Sequence, residues 1–96
     1  MDAQVIDNAG QKRYELNIDG NLAILEYIRA TDAVYLTHTE VPSTLKGQGV
    51  GSSLVEQVLQ LLREQNEKVV PLCPFVAGYI KRNPKYTSLL ARGYNV

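Results

Sequence analysis

The sequence predicts one α/β (α+β) domain over residues 1–96: a three-stranded antiparallel meander, a crossover helix, a fourth strand parallel to the third, and a second helix on the C-terminal side. Apolar and polar residues alternate through the first half of the chain, as they do in half-buried strands. The apolar spacing becomes helical at Val50, and a short stretch rich in valine follows at residues 68–72. This length is enough for one domain with one modest core.

Three stretches of the first half have strand-type alternation, and they span residues 13–18, 22–29 and 34–41. Asp19-Gly20 lies between the first two and favours a two-residue hairpin turn, because both positions must tolerate a positive φ. Residues 30–33 are predicted to form a second short turn. The first ten residues are polar and are predicted to be partly frayed, outside the sheet.

From Val50 onward the apolar residues recur at helical spacing, which predicts an amphipathic helix that ends near Asn66. The stretch 68–72 is predicted to be the fourth strand, and Pro71 within it favours a position at the sheet edge. Because a strand, a helix and a strand make a crossover unit, the strands at 34–41 and 68–72 should run parallel. Their carboxyl ends then meet at one edge of the sheet, where ligands bind in open α/β folds.

The chain after the fourth strand is predicted to form a second helix that starts with Pro74, since proline suits the first helical position. Asn83-Pro84 ends this helix, because the residue before a proline disfavours helical backbone. A short helical turn is expected at residues 87–91. Cys73 therefore leaves the fourth strand at the start of a helix, near the turn that leaves the third strand.

Composition narrows the function classes. Ten Lys and Arg residues balance ten Asp and Glu residues, so the formal net charge of zero argues against a non-specific nucleic-acid binder. No apolar run is long enough to span a bilayer, and the start of the chain shows no signal peptide. One cysteine and one histidine cannot close a structural zinc site. We therefore expect a cytoplasmic protein without a metal, a membrane partner or a nucleic-acid partner.

A glycine-rich turn precedes the first helix. Alternate glycines allow a tight turn with inward-pointing N–H groups, and the helix start adds a dipole that favours a phosphate or pyrophosphate. The turn lacks both the lysine of a Walker loop and the spacing of a dinucleotide fingerprint. A plain flexible loop is the alternative interpretation. The candidate anion-binding residues are Lys46, Gly47, Gln48, Gly49, Val50, Gly51 and Ser52.

Several blocks of the sequence together resemble the GNAT-type acyl-CoA N-acyltransferases, and among them the minimal YjdJ/NATD1-like group. The glycine-rich turn is similar to the pyrophosphate motif of that family, Arg/Gln-x-x-Gly-x-Gly/Ala, with Lys46 at the position of its first residue. The resemblance covers about residues 12–95. Its other blocks are His38-Thr39-Glu40-Val41, Pro71-Leu72-Cys73-Pro74-Phe75-Val76, and Asn83-Pro84 followed by Tyr86.

The resemblance implies a compact GNAT-like fold and acetyl-CoA as cosubstrate, with pantetheine between the third and fourth strands and paired with backbone near Val41. It adds Pro74 and Asn83 as candidate coenzyme contacts, although Asn83 would also serve simply to end its helix. The implied activity is acetyl transfer to an unidentified amine, on a small molecule or a protein. A non-catalytic acyl-CoA-binding module and an interaction domain without coenzyme are the alternatives.

Acetyl transfer needs a neutral amine. With a reference pKa of about 10.4, deprotonation of an alkylammonium at neutral pH costs roughly 4–5 kcal/mol. His38 and Glu40 lie two residues apart on the third predicted strand, so they should share one face with Val34 and Leu36. Either side chain is a candidate base, directly or through water. A hydrogen-bonded sheet histidine and a solvated glutamate are the alternative interpretations.

Cys73 is the candidate acetyl carrier. As the residue before Pro74 it should lie at a helix start, where the dipole stabilises a thiolate by roughly 0.3–1 kcal/mol. It could accept the acetyl group as a transient thioester, or it could only line the acetyl pocket while transfer is direct. An inert buried cysteine is the alternative interpretation.

Overall fold

The computed structural model describes residues 3–96, and these form one five-stranded sheet with two α-helices and two short 3₁₀ helices. The strand order is β1-β2-β3-β4-β5, antiparallel from β1 to β4 and parallel between β4 and β5. The predicted α/β class, with an antiparallel meander and a parallel strand after a crossover helix, is confirmed. The elements are β1 (Ile6–Asn8), β2 (Arg13–Ile18), β3 (Asn21–Arg29), β4 (Val34–Glu40), α1 (Val50–Glu64), β5 (Val69–Pro71) and α2 (Pro74–Arg82), with 3₁₀ helices at Ser43–Leu45 and Pro84–Leu89.

The amino-terminal segment corrects one expectation. Residues 6–8 are not frayed but form β1, which pairs with β2 and places Ile6 opposite Glu15. The chain before β1 is also held, because the Gln57 side chain on α1 accepts from the Val5 N–H at 2.9 Å and donates to the Ala3 carbonyl at 3.1 Å. Residues 1 and 2, which the same expectation covered, lie outside the described residues.

Local turn chemistry follows the sequence closely. Asp19 and Gly20 both have positive φ, 54° and 85°, as the predicted hairpin turn requires. Strand β5 lies at the edge of the sheet, as Pro71 indicated, and α2 ends at Arg82 before Asn83-Pro84. The last helical turn begins at residue 84 rather than at the predicted residue 87, since Pro84 can open a helix as readily as it ends one.

One face of the sheet, here called the core face, packs against both helices. Alternate residues of β2 and β3 are buried there, together with the apolar stripe of α1 and the first buried positions of α2. The other side of β2, β3 and β4, here called the open face, carries no side chain that is fully buried. Its residues include Arg13, Glu15, Ile24, Glu26 and Ile28.

A β-bulge in β4 changes which residues reach each face. Glu26 pairs with His38 while its neighbour Tyr27 pairs with Leu36, so Thr37 has no partner of its own. The extra residue shifts the alternation of β4 by one position. Thr39 pairs with the buried Leu25 and therefore lies on the core face with Leu36.

The bulge overturns the expected arrangement of the two candidate bases. His38 and Glu40 still share a face with each other, but that face is the open one, since they pair with Glu26 and Ile24. They do not share a face with Val34 and Leu36, which are both buried in the core. A strict two-residue alternation predicted the wrong side, because the sequence does not reveal where a strand gains an extra residue.

Within residues 3–96, no helix is both long and apolar enough to cross a bilayer.

Candidate functional site

The glycine-rich turn connects the first 3₁₀ helix to α1 through two left-handed residues. Gly47 has φ +81° and Gly49 has φ +73°, a region that costs an L-residue about 1–2 kcal/mol. Gly49 is also the residue that caps the start of α1, and no side chain caps that start. The backbone of the turn therefore depends on glycine at these two positions.

The turn leaves a row of donors without protein partners. The N–H groups of Lys46 and Gln48 are used within the turn, by the carbonyls of Ser43 and Leu45. Among the described residues, the N–H groups of Gly47 and Gly49 meet no acceptor, and the first N–H groups of α1 have no intrahelical acceptor. A turn with such donors at the start of a fifteen-residue helix is suited to a phosphate or pyrophosphate.

The side chains of the turn leave that donor row accessible. Lys46, Gln48 and Ser52 are all exposed, and Gln48 donates a long hydrogen bond of 3.4 Å to the Thr44 carbonyl. Val50 instead points into the core and is fully buried. The exposed lysine adds a positive charge beside the donors, which suits an anionic ligand.

Gly51 is constrained by a neighbouring side chain rather than by its φ. Its φ is not in the left-handed region, but a Cβ built there would lie 2.9 Å from Cζ of Phe75 and 3.5 Å from Cγ2 of Val41. Phe75 comes from the first turn of α2, so the starts of the two helices touch at this glycine. The Phe75 ring stays 41% exposed beside the turn.

Strands β4 and β5 separate where the candidate site begins. They pair only over residues 34–36 and 69–71, and the Cys73 N–H then donates to the Leu36 carbonyl at 2.9 Å. Beyond Leu36, β4 continues to Glu40 while the other chain turns into α2. We call the opening between residues 37–40 and Cys73 the strand gap. Its strand edge has no β5 partner and can pair with an extended ligand.

Cys73 lies on one wall of the strand gap, as the residue that caps the start of α2. The residue is only 6% exposed, and its Sγ lies 3.3 Å from Oγ1 of Thr39. Burial alone raises the pKa of the thiol, but the Thr39 hydroxyl and the nearby N–H groups of Val76 and Phe75 favour the thiolate, outweigh burial and lower the pKa below its usual value of 9.0. Pro74, which lacks an N–H, is the first residue of the helix, so the donors come from the next two residues.

Thr39 is the contact that the sequence analysis missed. The His38-Thr39-Glu40-Val41 block contains it, but simple alternation placed its neighbours on the side of the cysteine. The β4 bulge puts Thr39 there instead. Its backbone N–H and its hydroxyl both favour the thiolate form of Cys73.

His38 and Glu40 border the same gap from the open face. Nε2 of His38 and Oε2 of Glu40 are 3.6 Å apart, and the two side chains are 56% and 67% exposed. The structure therefore brings Cys73 and the two candidate bases to one stretch of β4 but on opposite faces of the sheet.

Asn83 does not lie at the strand gap with Cys73 and β4. It lies after the carboxyl end of α2, ten residues from Cys73 and thus about 15 Å along the helix. Its side-chain amide donates to the Tyr79 carbonyl at 2.9 Å, which closes the end of the helix. This geometry fits the second interpretation of Asn83, a residue that ends α2.

A carboxylate on α1 fixes α2 from the other side. Glu56 accepts hydrogen bonds from the hydroxyls of Tyr79 and Tyr86, the latter at 2.6 Å, and lies 3.7 Å from the Lys85 ammonium. Burial raises the pKa of Glu56, but the two hydroxyls and Lys85 outweigh it and lower that pKa. Burial and the Glu56 carboxylate raise the pKa of Tyr79 far above its ordinary value. The Tyr79 hydroxyl thus keeps its proton and donates it to Glu56 in a hydrogen bond.

The described part of the chain contains no cluster of three or more His, Cys, Asp or Glu side chains that could hold a metal ion. The chemistry of the strand gap is that of a thiol, a hydroxyl, an imidazole and a carboxylate.

Comparisons with known proteins find relatives of this chain. The family model described as GCN5-related N-acetyl-transferase matches residues 13–89. The chain is 30% identical to Protein NATD1 of Xenopus tropicalis over 66 residues, which are 69% of this chain and 60% of that protein. It is 29% identical to Protein NATD1 of Gallus gallus over 85 residues, 84% of this chain and 76% of that protein. This chain thus spans about three fifths of the frog relative.

A solved structure has the same fold. The solution NMR structure of a GCN5-like protein from Staphylococcus aureus superimposes with a TM-score of 0.70 at 25% sequence identity, over 92% of this chain and 87% of the other. The matched family model spans both the glycine-rich turn and the strand gap. The chain therefore belongs to the GCN5-related N-acetyltransferase family.

Proposed function

We propose that this protein is an acetyl-CoA-dependent N-acetyltransferase in which Cys73 carries the acetyl group. The observation that carries the proposal is the position of the Cys73 thiol, which lies 3.3 Å from Thr39 at the start of α2 and directly beside the gap between β4 and β5. The donor row of the glycine-rich turn begins the next helix along the same edge of the sheet. The glycine-rich turn would thus bind the anionic part of the coenzyme, and Cys73 would lie beside its acetyl end.

Coenzyme binding would use backbone groups more than side chains. The N–H groups of residues 47 and 49–52 would hold the pyrophosphate, with Lys46 and Gln48 beside it. The unpaired edge of β4 up to Val41 would pair with the amides of pantetheine. Phe75 and Pro74, both exposed, would cover the apolar part of that arm.

In the first step the Cys73 thiolate attacks the thioester carbonyl, so that a new sulfur–carbon bond forms while the bond from that carbon to the coenzyme sulfur breaks. Thr39 and the N–H groups of α2 favour the thiolate that this step needs. The coenzyme leaves as a thiolate and takes a proton from water. The acetyl group thus moves from the coenzyme sulfur to the sulfur of Cys73, and neither sulfur changes its oxidation state.

In the second step an amine attacks the acetyl carbon from the open face, and Cys73 leaves as a thiolate again. His38 or Glu40, both exposed on that face, would accept the proton that the amine must lose. The two faces of β4 would then have different roles, because the core face holds the nucleophile and the open face receives the acceptor.

Mass spectrometry after incubation with acetyl-CoA tests the proposal. We expect one added acetyl group on wild-type protein, absent in Cys73→Ala, and at least a hundredfold lower rate of amine acetylation in that variant, the size of a lost catalytic group. Thr87→Ala changes an exposed residue outside the strand gap, and this control variant should behave as wild type. Normal turnover by Cys73→Ala would show direct transfer instead. Coenzyme binding without any acetylated amine would support the non-catalytic module.

The acceptor, the cytoplasmic location and the absence of nucleic-acid and membrane partners stay predictions from the sequence.

A further inference from the structure

We infer that the protein has a second ligand site, at the end of β4 opposite the strand gap, and that this site takes a small aliphatic α-amino acid with both its ammonium and its carboxylate group charged. The site is a cavity of about 270 Å³ between the turn before β4, the start of β5 and residues 91–94, and we call it the C-terminal cavity. Its volume is slightly below the usual range for drug-sized ligands, about 300–1,000 Å³, so it suits a molecule of amino-acid size rather than a coenzyme. The inference goes beyond the proposed function and does not depend on it.

The C-terminal cavity has an apolar floor that is separate from the main core. Ala33 is 2% exposed and Val70 is 1% exposed, yet neither belongs to the cluster of core residues that packs against both helices. Residues 91–94 line the other side of the cavity, and the Ala91 N–H donates to the Val69 carbonyl at 2.9 Å, which anchors this segment beside β5. The floor therefore offers a short aliphatic side chain an apolar surface to pack on.

The cavity carries opposite charges that do not pair with each other. Asp32 and Arg92 both line it, but their carboxylate and guanidinium groups lie more than 4.0 Å apart, and neither has another ion-pair partner among residues 3–96. Lys68 lines the cavity as well, but its ammonium is engaged, because it donates to the Ser88 carbonyl at 2.9 Å. Two free and opposite charges in one small cavity suit a ligand that carries both charges, since a singly charged ligand would leave one of them without a partner.

Three oxygen-bearing groups are available to an ammonium group on the Asp32 side. The neighbouring Tyr94 hydroxyl, burial and the Asp32 carboxylate raise the pKa of Tyr35 above its ordinary value, so the two hydroxyls and the carboxylate lie near one another. A primary ammonium has three N–H donors, which these three groups can accept. The Arg92 guanidinium would bind the carboxylate of the same ligand through two parallel hydrogen bonds.

The C-terminal cavity is remote from the strand gap. Tyr35 precedes Thr39 by four residues on β4, roughly 12 Å along the strand. An amino acid bound in this cavity would therefore be neither the acetyl donor nor the acceptor. It would instead tie residues 91–94 to β4 and β5, so its binding would stabilise the folded chain.

Titration with L-valine, followed through the backbone amide NMR signals, tests the site. We expect saturable shifts in residues 33–35, 69–70 and 91–94, with a Kd in the millimolar range or below, and a melting temperature that rises with the valine concentration. Two analogues of valine each lack one charge: valinamide has no carboxylate, and N-acetylvaline has no ammonium. We expect each analogue to bind at least tenfold more weakly than valine.

A pair of variants assigns the two charges. Arg92→Gln should weaken valine binding at least tenfold and remove the preference for valine over valinamide, whereas Asp32→Asn should remove the preference for valine over N-acetylvaline. A merely structural effect would weaken all three ligands equally and would contradict the assignment. Arg82→Gln removes an exposed guanidinium at the end of α2, outside the cavity lining, and should leave every affinity unchanged.

Other results would overturn the inference. If valine causes no saturable shift in wild-type protein, the cavity is not a site for it. If N-acetylvaline binds as tightly as valine, the cavity takes an anion, and if valinamide does, it takes a cation; in both cases the doubly charged class is wrong. If valine shifts the signals of residues 37–41 instead, it occupies the strand gap. None of these measurements uses acetyl transfer, so failure of the inference leaves the proposed function standing, and failure of the proposed function leaves the inference standing.

Tyr94→Phe is a second variant that tests the ammonium side. It removes one hydroxyl from the cavity and keeps the ring, so we expect weaker valine binding with an unchanged preference for valine over valinamide. Unchanged valine affinity in Tyr94→Phe and in Asp32→Asn together would mean that no ammonium is bound there.

Discussion

The unpaired N–H groups at the start of α1 and at the start of α2 have different roles in this protein. The start of α1 is exposed and has no side-chain cap, so its donors wait for a ligand from outside. The start of α2 has the buried Cys73 at its capping position, and the N–H groups of Phe75 and Val76 favour the thiolate form of that residue although its side chain makes no cap hydrogen bond. The start of α1 is therefore suited to an anionic ligand, whereas the start of α2 favours an anion that belongs to the chain itself, the Cys73 thiolate.

Breaking the start of α1 should give the largest effect. Valine at position 49, where φ is +73°, adds about 1–2 kcal/mol of backbone strain, so we expect the turn to relax and its donors to move. The expected result for Gly49→Val is at least a tenfold higher Kd for coenzyme A by calorimetry, with a folded chain by circular dichroism.

Gly93→Val is the matched control for that strain. Gly93 has φ +90° and, like Gly49, has no atom within 4 Å of a built Cβ, but it follows the bridge between Leu90 and Val69 at the other end of β5. We expect its coenzyme affinity to stay within twofold of wild type. Equal affinity in both variants would contradict the pyrophosphate assignment.

Weakening the start of α2 should act on the thiol rather than on binding. Because Thr39 stabilises the thiolate, Thr39→Val should raise the pKa of Cys73 and lower the thiolate fraction at neutral pH, since a hydrogen bond to a charged group, about 1.5–3 kcal/mol, is lost. Ultraviolet absorbance of the thiolate during a pH titration, with Cys73→Ala as baseline, measures this shift.

Thr39→Ser separates the hydroxyl from the packing of its methyl group. It keeps the donor, so its titration should match wild type. If Thr39→Val also matches, backbone N–H groups alone favour the thiolate, and the Thr39 side chain has only a packing role.

The Glu56 carboxylate tests the contact between α1 and α2 rather than either helix start, because it joins the two helices away from their starts. Removing its charge weakens two hydrogen bonds from tyrosine hydroxyls, so we expect Glu56→Gln to lower the free energy of unfolding by about 1 kcal/mol at pH 7. Its folded pKa is lowered, so this stability is present above the ordinary pKa near 4.5 and is lost as the pH falls through the lower folded value.

Thermal melts across pH check this prediction. The difference between wild type and Glu56→Gln should be constant above about pH 5 and should shrink at lower pH. Glu64→Gln removes a carboxylate from the exposed last turn of the same helix and is the matched control. A constant difference down to acid pH would mean that shape, not charge, holds the tyrosines.

Sequence patterns predicted those parts of the fold that depend on local chemistry. Both positive-φ residues of the Asp19-Gly20 turn, the start of α1 and the bounds of α2 follow from neighbours in the chain. The three-residue strand β1 was missed because it is too short for its alternation to show and carries two polar residues. Its pairing with β2 is a contact that only the folded chain provides.

The candidate site divides in the same way. The position of Cys73 at a helix start follows from the proline after it, and the structure confirms that position. The sides taken by His38 and Thr39 depend on a bulge that is fixed by pairing between two strands, so alternation alone predicted the opposite. Glu56 was missed as well, because its tyrosine partners lie more than twenty residues away.

The smallest expected effect concerns the place where the two helix starts meet. Alanine at position 51 adds a Cβ at 2.9 Å from the Phe75 ring, and the ring is exposed enough to turn aside. The better helix propensity of alanine offsets part of this cost, so stability should change by less than about 1 kcal/mol. Because the Phe75 N–H favours the thiolate form of Cys73, however, a shift of this turn should reach the thiol.

We therefore expect Gly51→Ala to raise the Kd for coenzyme A about threefold, equivalent to roughly 0.7 kcal/mol, and to raise the pKa of Cys73 slightly. Calorimetry and the thiolate titration measure the two effects in the same variant. Adding Phe75→Leu removes the ring atoms that clash and should restore the thiol pKa. Because α1 and α2 touch here through one ring and one missing side chain, a variant that changes coenzyme affinity but not the thiol would mean that the two helix starts act independently.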